Sequence, residues 1–449
     1  MRFVKAAIVF MLAYLAYFTF APQDLYNPQQ VTRVALALAL SQGQLDIGEF
    51  AAETVDKALH DGRYYADKPP GLSLLAVPAM VVVRNLLERS GSPGDGRDEA
   101  GFALYTTAAN VTTVSLLGAL GAAVLYLLSL RLGASEGGAL FAAAGLALGT
   151  PYFGWATALF SHVPTGVLLL VALAIALVGE LRGAVPRAVA VGLVLGLVLT
   201  IDLVAAPAAL AVAAVAIASC RAARPQCVLA IGAGAILGLL PLLLYNWAAF
   251  DSPFRLGYAQ VVGFEGMREG LFGITMPNPV VLMELLFGRY RGLLPLAPVL
   301  VVIPLGLFTM WLRGLRTAAL AVTTIAACYL LINAGYHYWD GGSSTGPRHL
   351  VAMLPVLCLA LAFAWPRRPV ARVAVLALLA VSLVLSVIAA STIMFAGANY
   401  PDPLADLLLP RFLSGNGLLS AARIAPVWLG FAVLAAHAGL RSQRNQLAA

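Results

Sequence analysis

The 449-residue sequence predicts an all-α polytopic membrane protein, and three observations carry that prediction. Hydrophobic residues make up 61% of the chain and charged residues only 11%, where a soluble domain carries about a quarter charged. The mean hydropathy is +0.88. Apolar runs of about 17–25 residues, each long enough to span a bilayer, recur from end to end. In lipid the backbone must satisfy its own hydrogen bonds, so repeated apolar runs mean helices rather than open sheets.

Thirteen candidate spans follow in order, near 3–21, 70–88, 103–130, 137–151, 159–178, 187–202, 203–219, 226–249, 293–311, 317–334, 347–365, 373–395 and 421–440. The first, in "MRFVKAAIVFMLAYLAYFTFAPQ", has the charge and apolar core of a signal peptide. Its core is long and lacks a small-residue cleavage site, so an uncleaved span is expected. Arg2 and Lys5 place its start inside the cell, as do Arg313 and Arg316, then Arg367, Arg368 and Arg372, then Arg441 and Arg444 for the later loops. Loops 250–292, 335–346 and 396–420 then lie outside. Thirteen crossings from an inside start would leave the basic tail outside, so one candidate must fail to cross. The short, Gly-rich 137–151 is the expected exception. Arg182, Arg187, Arg221 and Arg224 then fall inside, and Ser161, His162 and Asp202 at the outer side.

The loop 22–69 is too long to be a mere connection. "QQVTRVALALALS" reads as an apolar helix too short to span. "IGEFAAETVDKALH" reads as an amphipathic helix, with Ile47, Ala51, Val55, Ala58 and Leu59 on one face and Glu49, Glu53, Asp56 and His60 on another. Both are expected to lie on the membrane interface. Seven of the 21 acidic residues fall in these 48 positions. The chain shows no internal repeat and no linker, so residues 1–449 read as one domain.

The net charge of +7 does not point to nucleic acid, because the arginines sit between apolar runs. Cys220, Cys227, Cys328 and Cys358 lie in or beside apolar segments without metal-ligand spacing and are expected to be unpaired.

Candidate chemistry gathers in a few stretches. In "YYADKPPG", Tyr65 and Asp67 precede Lys68. Two prolines then open a helix where their missing N–H groups cost nothing and the helix's partial positive charge emerges. Lys68 there either holds an anion or snorkels at the interface. In "NAGYHYWDGGSSTGPRHLVAMLP", Trp339 and Asp340 belong to an outer loop. Arg348 opens the next helix against its dipole, which suggests a bound anion or an acidic partner; a lipid-headgroup anchor explains it equally. Tyr245, Asn246, Arg255 and Tyr258 open the second long loop as sugar or acceptor contacts, or as an aromatic belt. His162 is a ligand or a satisfied interfacial histidine. Asp202 needs a partner or water. Among the first-loop acids, Asp56 is the leading base candidate and Asp46 the second. Together these supply what a lipid-linked, phosphate-bearing substrate requires: a greasy groove, cations or a helix N-terminus for the phosphate, and a base near the acceptor.

A first span, a long acidic outer loop with interfacial helices, and "DGRYYADKPPG" opening the second span resemble the C-type superfamily of membrane glycosyltransferases. The likeness is to the family 39-like group, which includes protein O-mannosyltransferases and the aminoarabinose transferases acting on lipid A. It covers most of the chain. It is strongest over 22–80, "YNWAAFDSPFRLGY", "FGRYRGLLPLAPVL" and "YWDGGSSTGPRHL". The resemblance implies a bundle of about 12–13 transmembrane helices. It also implies inverting transfer of a sugar from a polyprenyl-phosphate donor to a glycan, lipid or protein acceptor, outside a bacterial cytoplasmic membrane. Lys68 matches the Lys of the family's Lys-Pro-Pro motif and takes its phosphate role; Arg348 joins it by analogy of position. Relatives carry an acidic pair after the first span, where this chain has Gln29 and Gln30, so the base moves to Asp46 or Asp56, or the site works otherwise. Some relatives use a divalent metal, but no spacing here demands one. The alternatives are a transporter or flippase, or a non-catalytic binding protein, for lipid-linked saccharides.

Overall fold

The computed structural model describes residues 2–20, 26–178, 183–220, 222–415 and 417–447, with the side chains of the last helix described to residue 438. The protein is an all-α polytopic membrane protein. Among the described residues, eight helices are long and apolar enough to cross a membrane, and five shorter apolar helices accompany them. These thirteen match the thirteen apolar runs one for one. In chain order the elements are α1 (Arg2–Thr19), α2 (Pro28–Leu40), β1 (Lys57–His60), β2 (Arg63–Ala66) and α3 (Gly71–Arg89). Next come α4 (Glu99–Arg131), α5 (Glu136–Leu148), α6 (His162–Val178), α7 (Ala184–Ile201), α8 (Leu203–Ala218) and α9 (Arg224–Phe250). The last are α10 (Pro279–Phe287), α11 (Pro298–Leu312), α12 (Arg316–Ala334), α13 (Arg348–Leu357), α14 (Pro369–Thr392) and α15 (Gly417–Ala438).

Side-chain contacts show which helices run from one end of the bundle to the other. Lys5 in α1 pairs with Glu136 at the start of α5, and the Tyr17 hydroxyl donates to the Ala147 carbonyl at the end of α5 (3.1 Å). So α5 rises beside α1 from its basic end, over about 20 Å for its 13 residues. At 13 residues it belongs with the shorter apolar helices, in keeping with the expectation that 137–151 is short for a span.

Helix α3 keeps close to the first loop. Ser73 near its start donates to the Arg33 carbonyl (2.9 Å), and Arg84 near its end donates to Ser41 just past α2 (2.9 Å). Arg97 beyond it pairs with Glu49 (3.0 Å). The ring of Tyr26 stacks on Phe102 in the first turn of α4 (5.0 Å). Both ends of α3 thus stay with the first loop. Its second half carries Arg84, Glu88 and Arg89, charges that a helix lying along the bundle end keeps near water but a crossing helix would carry through. Arg187 and Arg313 sit at the Lys5 end, donating to the Ser219 and Gly133 carbonyls. Arg182, Arg221 and the side chains of Arg441 and Arg444 lie outside the described residues, as does Asp24.

The first loop corrects a second expectation. The segment 28–40 is helical, capped by the Asn27 side chain with Pro28 at its start. It is not laid on a surface, since ten of its residues from Gln30 to Ala39 are buried. The expected second helix does not form. A short 3₁₀ turn at Gly48–Ala52 is followed by the antiparallel β1–β2 hairpin, with Lys57 opposite Ala66 and His60 opposite Arg63. The cause is the turn. Asp61 (φ 46°) and Gly62 (φ 75°) are both left-handed, the two-residue Asp-Gly geometry whose twist matches paired strands. The same apolar residues alternate instead: Ala58 is buried and Leu59 exposed. The second loop joins this hairpin, Val262 N–H donating to the Lys57 carbonyl (3.2 Å).

Helices α7 and α9 approach backbone to backbone. A Cβ on Gly192 or Gly196 would collide with the Ile231 or Ala235 carbonyl, and one on Gly234 with Val189. Small residues that permit such approach are what drive helix association in lipid. The expectation of unpaired cysteines is also corrected: Cys220 and Cys227 form a disulfide across the turn from α8 to α9, with Cα atoms 6.6 Å apart. The turn is tight enough to face them because α9 starts at Arg224, four residues after Cys220. Cys328 and Cys358 are free.

Candidate functional site

The end of the bundle that holds the first loop encloses a cavity of about 450 Å³. Three cations line it, Arg33 from α2, Lys68 before α3 and Arg348 at the start of α13, together with three carboxylates, Asp56, Asp67 and Asp202. The rest of the wall is largely apolar and aromatic, including Leu256, Tyr258, Phe264, Leu271, Phe272 and Tyr336. A greasy concavity with a few convergent charged groups is the usual form of a ligand site.

The Lys-Pro-Pro-Gly stretch sets the geometry. Pro70 caps α3 with φ −76°. Gly71 is required by close approach, since a Cβ there would collide with the Thr200 carbonyl at the end of α7. The start of α3 therefore presses against the α7–α8 junction, and Lys68 and Asp202 share one cavity. A second close approach places Gly257 against the backbone of Asp67, which brings Tyr258 into the wall. The Lys68 ammonium lies 5.9 Å from the Tyr258 ring centre.

Lys68 donates to Asp56 (3.1 Å) and to Asp67. Their side chains are 16%, 9% and 2% exposed. Burial pushes Asp67 up from the usual carboxylate range, against the pull of Lys68. Burial alone would lower Lys68, but Asp67 and Asp56 outweigh it and hold its pKa above the ordinary lysine value. The lysine is thus a fixed cation. It stands between two carboxylates.

Arg33 donates to the Gln29 carbonyl (2.9 Å) and side-chain oxygen (3.0 Å). The guanidinium carbons of Arg33 and Arg348 lie 5.6 and 5.4 Å from the Phe160 ring centre, a cation–π arrangement. The Nε atom of Arg348 is buried without a partner. The turn beside it is built by "FGRYRG". Buried Arg291 donates to the Asp340 carbonyl (2.9 Å) and the Gly342 carbonyl (2.8 Å), and the Tyr290 hydroxyl donates to Asp340 (3.0 Å).

On another wall, Asp202 accepts from the Ser161 hydroxyl (3.3 Å) and Val204 N–H (3.1 Å), with His162 Nδ1 at 3.8 Å. The His162 ring stands 5.4 Å from that of His349. The Nε2 atoms of both histidines are buried without a partner.

Of the sequence candidates, Asp56, Asp67, Lys68, His162, Tyr258 and Arg348 line the cavity together. Tyr245 and Asn246 line a smaller hollow behind Asp67, Lys68 and Tyr258. Tyr65 packs its ring on Phe250 (5.3 Å) in the core beneath the hairpin. Asp340 and Trp339 shape the outer turn, where the Tyr290 ring packs edge-on to Trp339 (6.1 Å). Asp46 lies away from the cavity, 3.9 Å from exposed Arg63. Sequence reading passed over Arg33 and gave Asp202 little weight. The available signal was a single charge within an apolar run, which in a membrane protein marks a functional position by default.

Among the described residues, one group has metal-ligand proximity: His60, Asp61 and Asp251, with ligand atoms within 4.8 Å of one another. It lies at the hairpin turn rather than in the cavity, and Arg255 Nη1 approaches His60 Nε2 at 3.5 Å.

No family model matches the chain, and a search of curated proteins finds no match.

Proposed function

We propose that the protein is a C-type membrane glycosyltransferase. It transfers a sugar from polyprenyl phosphate to a hydroxyl of a glycan, lipid or protein at the outer face of a cytoplasmic membrane. The observation that carries this reading is the cavity lined by Arg33, Lys68 and Arg348 beside three carboxylates, at the start of the Lys-Pro-Pro-Gly helix. Three cations face three carboxylates, and because Asp56 and Asp67 both pair with Lys68, neither Arg33 nor Arg348 has a carboxylate within ion-pair distance among the described residues. Arg348 keeps a donor without a partner, and guanidinium groups suit phosphate oxygens.

In the reaction, the acceptor oxygen attacks the anomeric carbon. The bond from that carbon to the phosphate oxygen breaks, and its electron pair leaves with polyprenyl phosphate. Lys68 and Arg348 hold the charge that develops on the leaving phosphate. A cavity carboxylate takes the acceptor's proton. Of the two first-loop base candidates, Asp56 lines the cavity and Asp46 does not.

The test is release of free polyprenyl phosphate by protein in nanodiscs given a panel of polyprenyl-phosphate sugars. Turnover is expected with at least one donor, reduced about 10²–10³-fold in Arg348→Ala and strongly in Lys68→Ala. Lys68→Arg keeps the buried charge as a folding control. No turnover with any donor, while labelled lipid-saccharide binds or crosses vesicles, contradicts the transferase reading and favours a transporter or binding protein.

A further inference from the structure

We infer that Asp202, rather than an acid of the first loop, is the general base that receives the acceptor's proton, with Ser161 and His162 as its positioning residues. The inference rests on the transferase reading.

Three carboxylates line the cavity, and they differ in the charge beside them: one oxygen each of Asp56 and Asp67 faces Lys68, with Asp67 Oδ1 buried without a partner among the described residues, whereas both oxygens of Asp202 accept from neutral donors. Asp56 and Asp67 both accept from the Lys68 ammonium. The contact with a buried ammonium pulls a carboxylate's proton affinity down, although at Asp67 burial outweighs that pull. Their work is to fix the cation. Asp202 has no lysine or arginine within ion-pair distance among the described residues. Its partners are one hydroxyl, one backbone N–H and the nearby imidazole of His162. The Ser161 contact, at 3.3 Å, is long and easily exchanged for an acceptor hydroxyl. The buried, unpartnered Nε2 atoms of His162 and His349 belong to the same wall, so that wall holds polar capacity which the protein does not use internally. Unused buried polar atoms demand an explanation, and a bound hydroxylic acceptor supplies one. This assignment also accounts for Gln29 and Gln30, because a base on the α7–α8 junction makes a carboxylate in α2 unnecessary.

The proton balance is simple. The acceptor O–H becomes the new glycosidic oxygen, its proton passes to the Asp202 carboxylate, and the resulting acid returns it to water after product leaves.

The competing explanation is that Asp202 only caps the helix turn that follows, through Val204. Asp202→Asn separates the two, because Asn caps as well as Asp but takes no proton. With a donor that the wild type turns over, Asp202→Asn is expected to lower kcat about 10²–10⁴-fold while binding labelled donor as the wild type does, with partial recovery in Asp202→Glu. Asp56→Asn, which loosens Lys68, is expected to raise the KM for donor more than it lowers kcat. Unchanged kcat in Asp202→Asn overturns the inference and leaves the transferase reading standing. A wild type inactive with every donor overturns both.

Discussion

Lys68 is the residue on which the site turns. Two buried carboxylates close on it, and removing one member of such a cluster leaves uncompensated charge at a cost of about 3–5 kcal/mol. Its pKa is raised above the ordinary lysine value because Asp67 and Asp56 favour the ammonium more than burial disfavours it. The sign is therefore definite: Lys68 stays an ammonium to a higher pH than an ordinary lysine. The chain has three lysines, Lys5, Lys57 and Lys68. Acylation near pH 9, read by mass spectrometry, is expected to modify Lys57 and spare Lys68. Equal labelling of the two contradicts the cluster. The lysine, its two prolines and the following glycine were legible in the sequence, because each residue type has one physical purpose at a helix start. The cavity's carboxylates were half legible. Asp56 stood out by its spacing, but Asp202 comes from a helix junction more than 130 residues away, and only the Gly71–Thr200 approach brings it near.

At the scale of elements, apolar length was read well and direction less so. All thirteen apolar runs are helices, because a long apolar run in lipid has no other way to satisfy its backbone. Length alone does not tell a crossing helix from one lying along the bundle end. The charges Arg84, Glu88 and Arg89 in the last turns of α3 favour the second arrangement for that helix. The hairpin was missed for a similar reason. The segment 47–60 fits a helical period, yet "HDGR" holds the Asp-Gly pair that closes a two-residue strand turn, and the local turn prevailed over the period. Single cysteines at Asp61→Cys and Ser90→Cys, on either side of α3, are expected to react with a membrane-impermeant thiol reagent from the same face. Arg316→Cys is expected to react from the opposite one. Labelling of Ser90→Cys together with Arg316→Cys would make α3 a crossing helix.

For the whole molecule, Lys5, Arg187 and Arg313 gather at one end of the bundle, as the positive-inside rule expects of one face. The opposite end of the bundle is built by three loops that brace one another. The second loop pairs with the hairpin through Val262. The third meets the second where Thr275 N–H donates to the Gly335 carbonyl (2.8 Å), and His337 faces Glu269 at 3.1 Å. Stretches far apart in the chain thereby enclose one charged, aromatic cavity. Its pattern was readable as separate motifs, while its closure depends on long-range contacts that no local pattern encodes. The most direct measurement of the central claim is photo-crosslinking with a polyprenyl-phosphate sugar that carries a diazirine beside the phosphate, mapped by mass spectrometry. The account predicts adducts on the cavity wall, in 256–274 and 336–349, competed by unlabelled donor and reduced in Arg348→Ala. Specific, competed adducts confined to the lipid-facing surfaces of the bundle would contradict it.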